Sequence, residues 1–271
     1  MWKRIDRKIL LLCFLIGSCT LFGQVTSQPA EKNDRTFKVL SYNLRFGELA
    51  SLEELAAFIK EQDPDLVALQ EVDNRTFRER APKQNDKDFA TELGFYTGMI
   101  PAYGKTIPYR GGYYGIALLS KYPLAKVERI YLPKTENGKE QRALLVADVE
   151  YDEGKFITFA STHLDYTTTE ERQGQVQKLN EVLQNSEWPV IVGGDFNARP
   201  ESAEIEEGME SWTRVSLSDP TVPADAPRHT IDYIFCFPAE KWDPVTAETY
   251  RVELSDHLPI SAVVKLKQDE E

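Results

Sequence analysis

The chain has 271 residues and is 41% hydrophobic, enough for one large domain or two small ones with a sizeable core. Its formal net charge is −12. That weighs against a duplex-DNA binder, because such binding depends on phosphate neutralisation by Lys and Arg, unless a local patch is basic.

At the N-terminus, Lys3, Arg4, Arg7 and Lys8 precede "ILLLCFLIG", an apolar run too short to span a bilayer. A basic start, a short apolar stretch and then small residues form the pattern of a secretory signal, here 1–23. "IGSC" also resembles a bacterial lipobox, which would make Cys19 the lipidated first residue of a membrane-anchored protein. Cleavage near "LFGQ" is the alternative. Removing 1–23 takes four Lys/Arg and one Asp from 32 basic and 44 acidic side chains, leaving −15. The expected location is exported: periplasmic, outer-membrane lipoprotein or secreted. Cys13 and Cys19 fall in or beside the signal. Cys236 is left alone, and "IDYIFCF" suits a small buried apolar residue.

A polar linker (24–35) leads into a domain spanning 36–267. "FKVLSYNLRF" (37–46) reads as a strand. Residues 51–62 read as a helix, with Ser51 and Glu54 as a capping box and Leu52, Leu55, Ala56 and Ile59 on one face. "DLVALQEV" is a strand, and 73–88 reads as a polar loop. "YYGIALLS", "RALLVADVEY" and "KFITFASTHL" are further strands. Residues 168–184 read as a helix with a second capping box, Thr168 and Glu171, and Val176, Leu179 and Leu183 on one face. "PVIVGGDF", an irregular segment (198–228), "TIDYIFCF", "AETYRVE" and "LPISAVVKL" complete the chain. Strands outnumber helices and many follow one another directly. This predicts an α+β fold with packed sheets.

Polar residues recur at the ends and starts of these strands: Asn43, Glu71, His163, Asp195 with Asn197, Asp232, and Asp256 with His257. Each type avoids burial unless paired. Singly, each has a turn or strand-end explanation. Repeated at six strand ends or starts, they converge on one rim if the strands run side by side. Carboxylates and an amide oxygen without a thiolate suit a hard cation, Mg²⁺ or Mn²⁺. Histidines and spare carboxylates handle protons, and a metal with an adjacent base describes phosphoester hydrolysis. The third histidine, His229, suits a loop or capping role.

"SYNLRFG", "LQEVD", "YYGIALLSKYPL", "STHLDY", "GGDFNARP", "TIDYIF" and "SDHLPI" together resemble the successive motifs of the endonuclease/exonuclease/phosphatase, DNase I-like superfamily. "QEVDNRTFRER" and "YRGGYYGIALLSK" look like its exported bacterial branch of metal-dependent hydrolases. The resemblance covers roughly 37–266. It implies a four-layer α/β sandwich with two packed, mostly antiparallel sheets. It also implies Asn43, Glu71 and Asp256 at the metal and His257 paired with Asp232. Asp195 would orient or deprotonate water, and Asn197 and His163 would contact the scissile phosphate. On this reading Gly193 and Gly194 let a strand end beside that phosphate. Whether Asp195 or His257 is the base stays open.

AP-endonuclease-like members often carry an acidic residue two positions after the Asn; here it is Arg45, which points away from that activity. Arg45, Arg75, Arg78 and Arg110 are candidates for further phosphates or a head group, or are solvated loop charges. Arg142 is structural or lines the site, and Tyr114 stacks on a ligand or packs in the core. The expected activity is an exported metal-dependent phosphoesterase, acting as a monomer on a small-molecule or lipid head-group phosphoester. A secreted nuclease is the alternative enzyme. A surface binding module that lost the chemistry is the alternative of another class, and it has no need of two histidines and an Asp232–His257 pair.

Overall fold

The apolar runs become two six-stranded sheets, which the computed structural model describes over residues 35–267. The signal segment, Cys19 and all but the last residue of the linker lie outside the described residues. The first sheet contains β1 (Arg35–Asn43), β2 (Leu66–Asn74), β3 (Ile100–Tyr109), β4 (Gly112–Ser120), β11 (Trp242–Thr249) and β12 (Ile260–Leu266). Their order is β11-β12-β1-β2-β4-β3. The second contains β5 (Leu124–Tyr131), β6 (Ala143–Asp152), β7 (Lys155–His163), β8 (Val190–Asp195), β9 (Thr213–Arg214) and β10 (Asp232–Phe237), in the order β5-β6-β7-β8-β10-β9. Only β1·β2 and β7·β8 pair in parallel.

Helices cover the outer faces. α1 (Leu52–Gln62) and α2 (Phe89–Thr97) pack Leu55, Ile59, Phe89 and Leu93 against Leu40, Val67 and Leu119 of the first sheet. α3 (Thr169–Leu183) packs Val176, Leu179 and Leu183, and α4 (Ala203–Glu206) packs Ile205, against Ala160, Val190 and Val192 of the second. The inner faces form the central core. The four layers are those of a DNase I-like sandwich.

Period-two alternation places the site. Alternate residues of a strand face one side. The inward rows run Phe37–Val39–Ser41–Asn43 in β1, Ile157–Phe159–Ser161–His163 in β7, Ile191–Gly193–Asp195 in β8 and Asp232–Ile234–Cys236 in β10, and their apolar members build the inter-sheet core. Each row has its polar site residue at the same rim: β1, β7 and β8 end there, and β10, antiparallel to β8, begins there. Register confirms it: His163 is opposite Asp195, and Asp195 opposite Asp232. Cys236 is a free, buried thiol in this core.

β2 breaks the parity. Its pairing with β4 shifts register between Leu69 and Val72, and Glu71 adopts φ 55°. The bulge sends Val72 to the outer core and re-aims Glu71 toward the rim.

Several elements differ from the sequence reading. α2 forms between the polar loop of 73–88 and β4, where the sequence reading places no helix, although Asp88 caps its start and Gly98 its end. β3 and β5 are edge strands. β3 tolerates Pro101 and Pro108 because an edge needs fewer ladder donors, and β5 is largely exposed, so neither shows an apolar alternation. Ser51 and Glu54 form both halves of their capping box. Thr168 forms only its half, because Glu171 accepts instead from Thr135 N and Oγ1.

Gly193 and Gly194 also serve another purpose than the sequence suggests. A Cβ on Gly193 would sit 3.0 Å from Ala68 Cβ and 3.2 Å from Ser41 Cβ of the facing sheet. One on Gly194 would sit 2.3 Å from Thr162 O of the neighbouring strand. The space belongs to the protein's own chain, and the glycines let the sheets close at the rim. Gly193→Val should therefore destabilise by about 1–3 kcal/mol through overpacking, measured by urea unfolding. Unchanged stability would show that the sheets are not held close by this residue.

Candidate active site

Asp195 is the hub. It is 1% exposed at the end of β8. Its Oδ1 accepts from Asn197 N at 2.9 Å, a turn in which Asn197 takes φ 48°, a conformation asparagine tolerates. Its Oδ2 accepts from Asn43 Nδ2 of the opposite sheet at 3.1 Å. The same oxygen lies 3.5 Å from His163 Nε2 and 3.7 Å from His257 Nε2. Burial raises the Asp195 pKa, Asp232 adds to the rise, and His257, Asn197 and Asn43 oppose it.

His257 sits just before β12, with Nδ1 2.9 Å from Asp232 Oδ2 and 3.2 Å from Oδ1. Thr221 Oγ1 donates to Asp232 Oδ2 at 2.5 Å. Burial alone would lower the His257 pKa, but Asp232 and Asp195 outweigh it and hold it at about 10. The imidazole is therefore charged at neutral pH, with Nδ1–H donating to Asp232. His163 behaves oppositely: burial, then Arg142 and His257, push its pKa well below the usual value.

Glu71 receives one hydrogen bond, from Asn43 Nδ2 at 3.3 Å, and burial raises its pKa. Asn43 Oδ1 accepts from Arg45 N at 3.0 Å. Arg45 also pairs with Asp256 Oδ2 and with Glu48, so it neutralises the rim rather than standing free.

A cavity of about 280 Å³ opens over these groups. Glu71, Asp195, Asn197, His163, His257, Arg78, Arg142 and Tyr114 line it. Asn197 donates its Nδ2 to Leu164 O at 3.0 Å. Arg78 is clamped on both oxygens of Asp73, at 2.5 and 2.9 Å, and lies 3.9 Å from the Phe46 ring centroid and 4.3 Å from that of Tyr109. Arg75 and Arg110 are exposed on turns and do not line the cavity. Arg45 and Asp256 line an adjoining cleft. His229 lies in a loop, near Arg199.

Sequence reasoning missed Phe46, Tyr109, Glu140 and Tyr166 in the cavity wall, and Asp73 and Thr221 behind it. Asp73 had a signal, since it sits in the quoted "LQEVD". Phe46, Tyr109 and Tyr166 likewise sit in the quoted "SYNLRFG", "YRGGYYGIALLSK" and "STHLDY", whereas Glu140 and Thr221 lie in loops outside every quoted motif.

Residues 40–257 match the sequence profile of the endonuclease/exonuclease/phosphatase family. The chain belongs to this family. It is 29% identical over 260 residues to the uncharacterized protein YbhP of Escherichia coli (strain K12), covering 88% of this chain and 100% of YbhP. It is 26% identical over 190 residues to exodeoxyribonuclease III of Haemophilus influenzae, 65% of this chain and 64% of that enzyme. The crystal structure of an endonuclease/exonuclease/phosphatase from Beutenbergia cavernae shares the fold, with a TM-score of 0.73 at 20% identity, over 86% of this chain and 72% of that one. Members of the family hydrolyse phosphoester bonds and typically depend on a divalent metal.

The residues present fit such an ion. Glu71 is a recessed carboxylate with one long hydrogen bond, and burial raises its pKa, so a cation beside it would offset the cost of its charge. Asn43 and Asp256 add an amide and a carboxylate oxygen, a hard donor set. Asp195, Asp232 and His257 also bring ligand atoms within 4.8 Å of one another. Their hydrogen bonds commit that second grouping to protons.

The raised Asp195 pKa gives a stability prediction. A group whose folded pKa is raised adds stability below its unfolded pKa, and that stability is lost as pH rises toward the folded value. Asp195→Asn keeps the shape without the charge. It should stabilise the resting protein by roughly 1 kcal/mol at about pH 8, with the gain vanishing near about pH 4, while kcat falls by roughly a hundredfold or more. Unfolding at the two pH values checks this. A variant less stable at the higher pH would mean the carboxylate is favourable where it sits.

Proposed function

We propose that this chain is an exported, Mg²⁺- or Mn²⁺-dependent phosphoesterase that hydrolyses a small or head-group phosphoester by water attack. The carrying observation is Asp195 Oδ2, which lies between a neutral and a charged imidazole at the floor of the cavity. A carboxylate with a raised pKa is matched to taking a proton from water near neutral pH. This favours Asp195 as the base. His257, kept charged by Asp232, faces the cavity with an Nε2–H that stabilises phosphoryl charge or protonates the leaving oxygen. His163 and Asn197 contact the phosphoryl group from the other side. Glu71, Asn43 and Asp256 would hold a divalent cation, which would supply Lewis-acid polarisation of a phosphoryl oxygen.

The preference for a compact substrate has two supports. The cavity, about 280 Å³, is at the small end of ligand sites. The arginines nearest it are already paired: Arg78 with Asp73, Arg45 with Glu48 and Asp256, and Arg142 with Glu140 at 3.5 Å. A long duplex requires a row of uncommitted cations, and the chain is acidic overall. The nuclease alternative draws on the likeness to exodeoxyribonuclease III.

Turnover of small phosphomonoesters, phosphodiesters and plasmid DNA, at two salt concentrations, separates these readings. We expect kcat/KM to favour a small ester, and activity to vanish after metal stripping in EDTA and return with Mg²⁺ or Mn²⁺. A plasmid preference of orders of magnitude that collapses as salt rises establishes the nuclease. Full activity in EDTA removes the metal.

Export is supported by the basic start and short apolar run of residues 1–23. Intact-mass measurement on cell fractions should find a mature N-terminus near residue 24 or a lipid-modified Cys19. Full-length protein beginning at Met1 in the cytoplasm contradicts export.

A further inference from the structure

His163 is 4% exposed, and its two ring nitrogens face different partners. Nδ1 lies 3.0 Å from Arg142 Nη1, and Nε2 lies 3.5 Å from Asp195 Oδ2. A guanidinium has only donors and cannot be deprotonated in a protein. At the Arg142 contact, therefore, Nδ1 must accept. It carries no proton, and the single proton of the neutral ring sits on Nε2, directed at Asp195 and the cavity.

The geometry points to Arg142 as a positioning residue that fixes His163 as a neutral Nε2–H donor to the reacting phosphoryl group. A second ring proton would set N–H against N–H and cation against cation. The depressed pKa of His163 agrees with this arrangement.

The packing of Arg142 supports the assignment. The side chain is 2% exposed, and its Nε has no hydrogen-bond partner among the described residues. Its carboxylate neighbour Glu140 is only within 3.5 Å of Nη2, and the Tyr166 ring is 6.0 Å away. The bond to His163 is the short hydrogen bond this buried guanidinium makes. A buried guanidinium whose short bond is spent on a site histidine serves that histidine's orientation.

One consequence concerns the division of labour. His257 donates from Nδ1 to Asp232, and His163 accepts at Nδ1 from Arg142. The two imidazoles that approach one Asp195 oxygen are thus locked in opposite states. Proton traffic runs through Asp195 and His257, and His163 donates a hydrogen bond without exchanging its proton.

The catalytic half of this inference rests on the phosphoesterase reading; the tautomer half does not. The test is long-range ¹H–¹⁵N correlation on histidine-labelled resting protein, which has only three histidines to assign; a His163→Gln variant identifies the signal. We expect the neutral Nε2–H tautomer. In Arg142→Met the tautomer should become mixed and kcat fall by about tenfold or more, with KM within about twofold, the pattern of a lost transition-state interaction. Arg142→Lys, which restores a donor, should recover the tautomer and most of kcat. In a His163→Gln background, Arg142→Met should cost little more, because the pair acts as a unit. A wild-type Nδ1–H tautomer or a doubly protonated His163 overturns the inference, and so does an Arg142→Met loss of the same size in both backgrounds. If Arg142→Met fails to fold, the wild-type and Arg142→Lys spectra still decide. If no phosphoester is turned over, the spectra stand alone and the phosphoesterase reading is what has failed.

Discussion

The site depends on how closely the two sheets approach at one rim. Asn43 comes from the first sheet and Asp195 from the second, and their side chains meet at 3.1 Å. That distance exists because Gly193 presents no side chain to Ala68 and Ser41 across the interface. Just below, Gln70 Nε2 donates to Ser161 Oγ at 3.2 Å, and Ser161 Oγ donates to Leu69 O at 3.2 Å, which ties the sheets again before the apolar core begins. The core holds the sheets together, the polar bridges set their register, and the rim is left with facing polar rows. Pushing carboxylates into this narrow space costs desolvation energy. The protein uses that cost, because it is what raises the pKa values of Asp195 and Glu71.

Among the described residues, four of the eight non-glycine residues with positive φ lie at this rim. Arg45, Phe46, Glu71 and Asn197 all adopt positive φ without being glycine, at 44°, 45°, 55° and 48°. Such conformations persist where the surroundings over-determine them, and they cluster at functional sites. Here each has a visible purpose: Glu71 is turned to the rim by a bulge, Asn197 closes the turn on Asp195, and the Arg45–Phe46 corner brings Arg45 to Asp256 and lays Phe46 against Arg78. The arginines at the rim, Arg45, Arg78 and Arg142, are paired with carboxylates of their neighbours.

Much of this was legible in the sequence. The strand-dominated fold follows from short apolar runs. The polar residues at their ends follow from alternation, since 39–41–43, 159–161–163 and 191–193–195 keep one parity up to the rim. Glu71 was legible as a strand-end charge, but its direction was not, because parity fails there and only a bulge restores it. β3 and β5 were hidden because edge strands face solvent and admit proline and charge. α2 was hidden because its first turn follows a charged loop without a long apolar stripe. The two glycines at the end of β8 look like room for a ligand, and sequence alone does not tell such room from room for a neighbouring strand. The Arg142–His163 contact joins β7 to the residue just before β6, and no local pattern encodes it.

The account turns on Asp195 being a buried carboxylate held between unlike imidazoles by the closure of the two sheets. Titration of its side-chain carboxyl carbon by NMR, in the resting protein, measures this directly. The account predicts a pKa above the ordinary carboxylate range, with His257 still charged at neutral pH in the same sample. An Asp195 that titrates like an exposed carboxylate would contradict it.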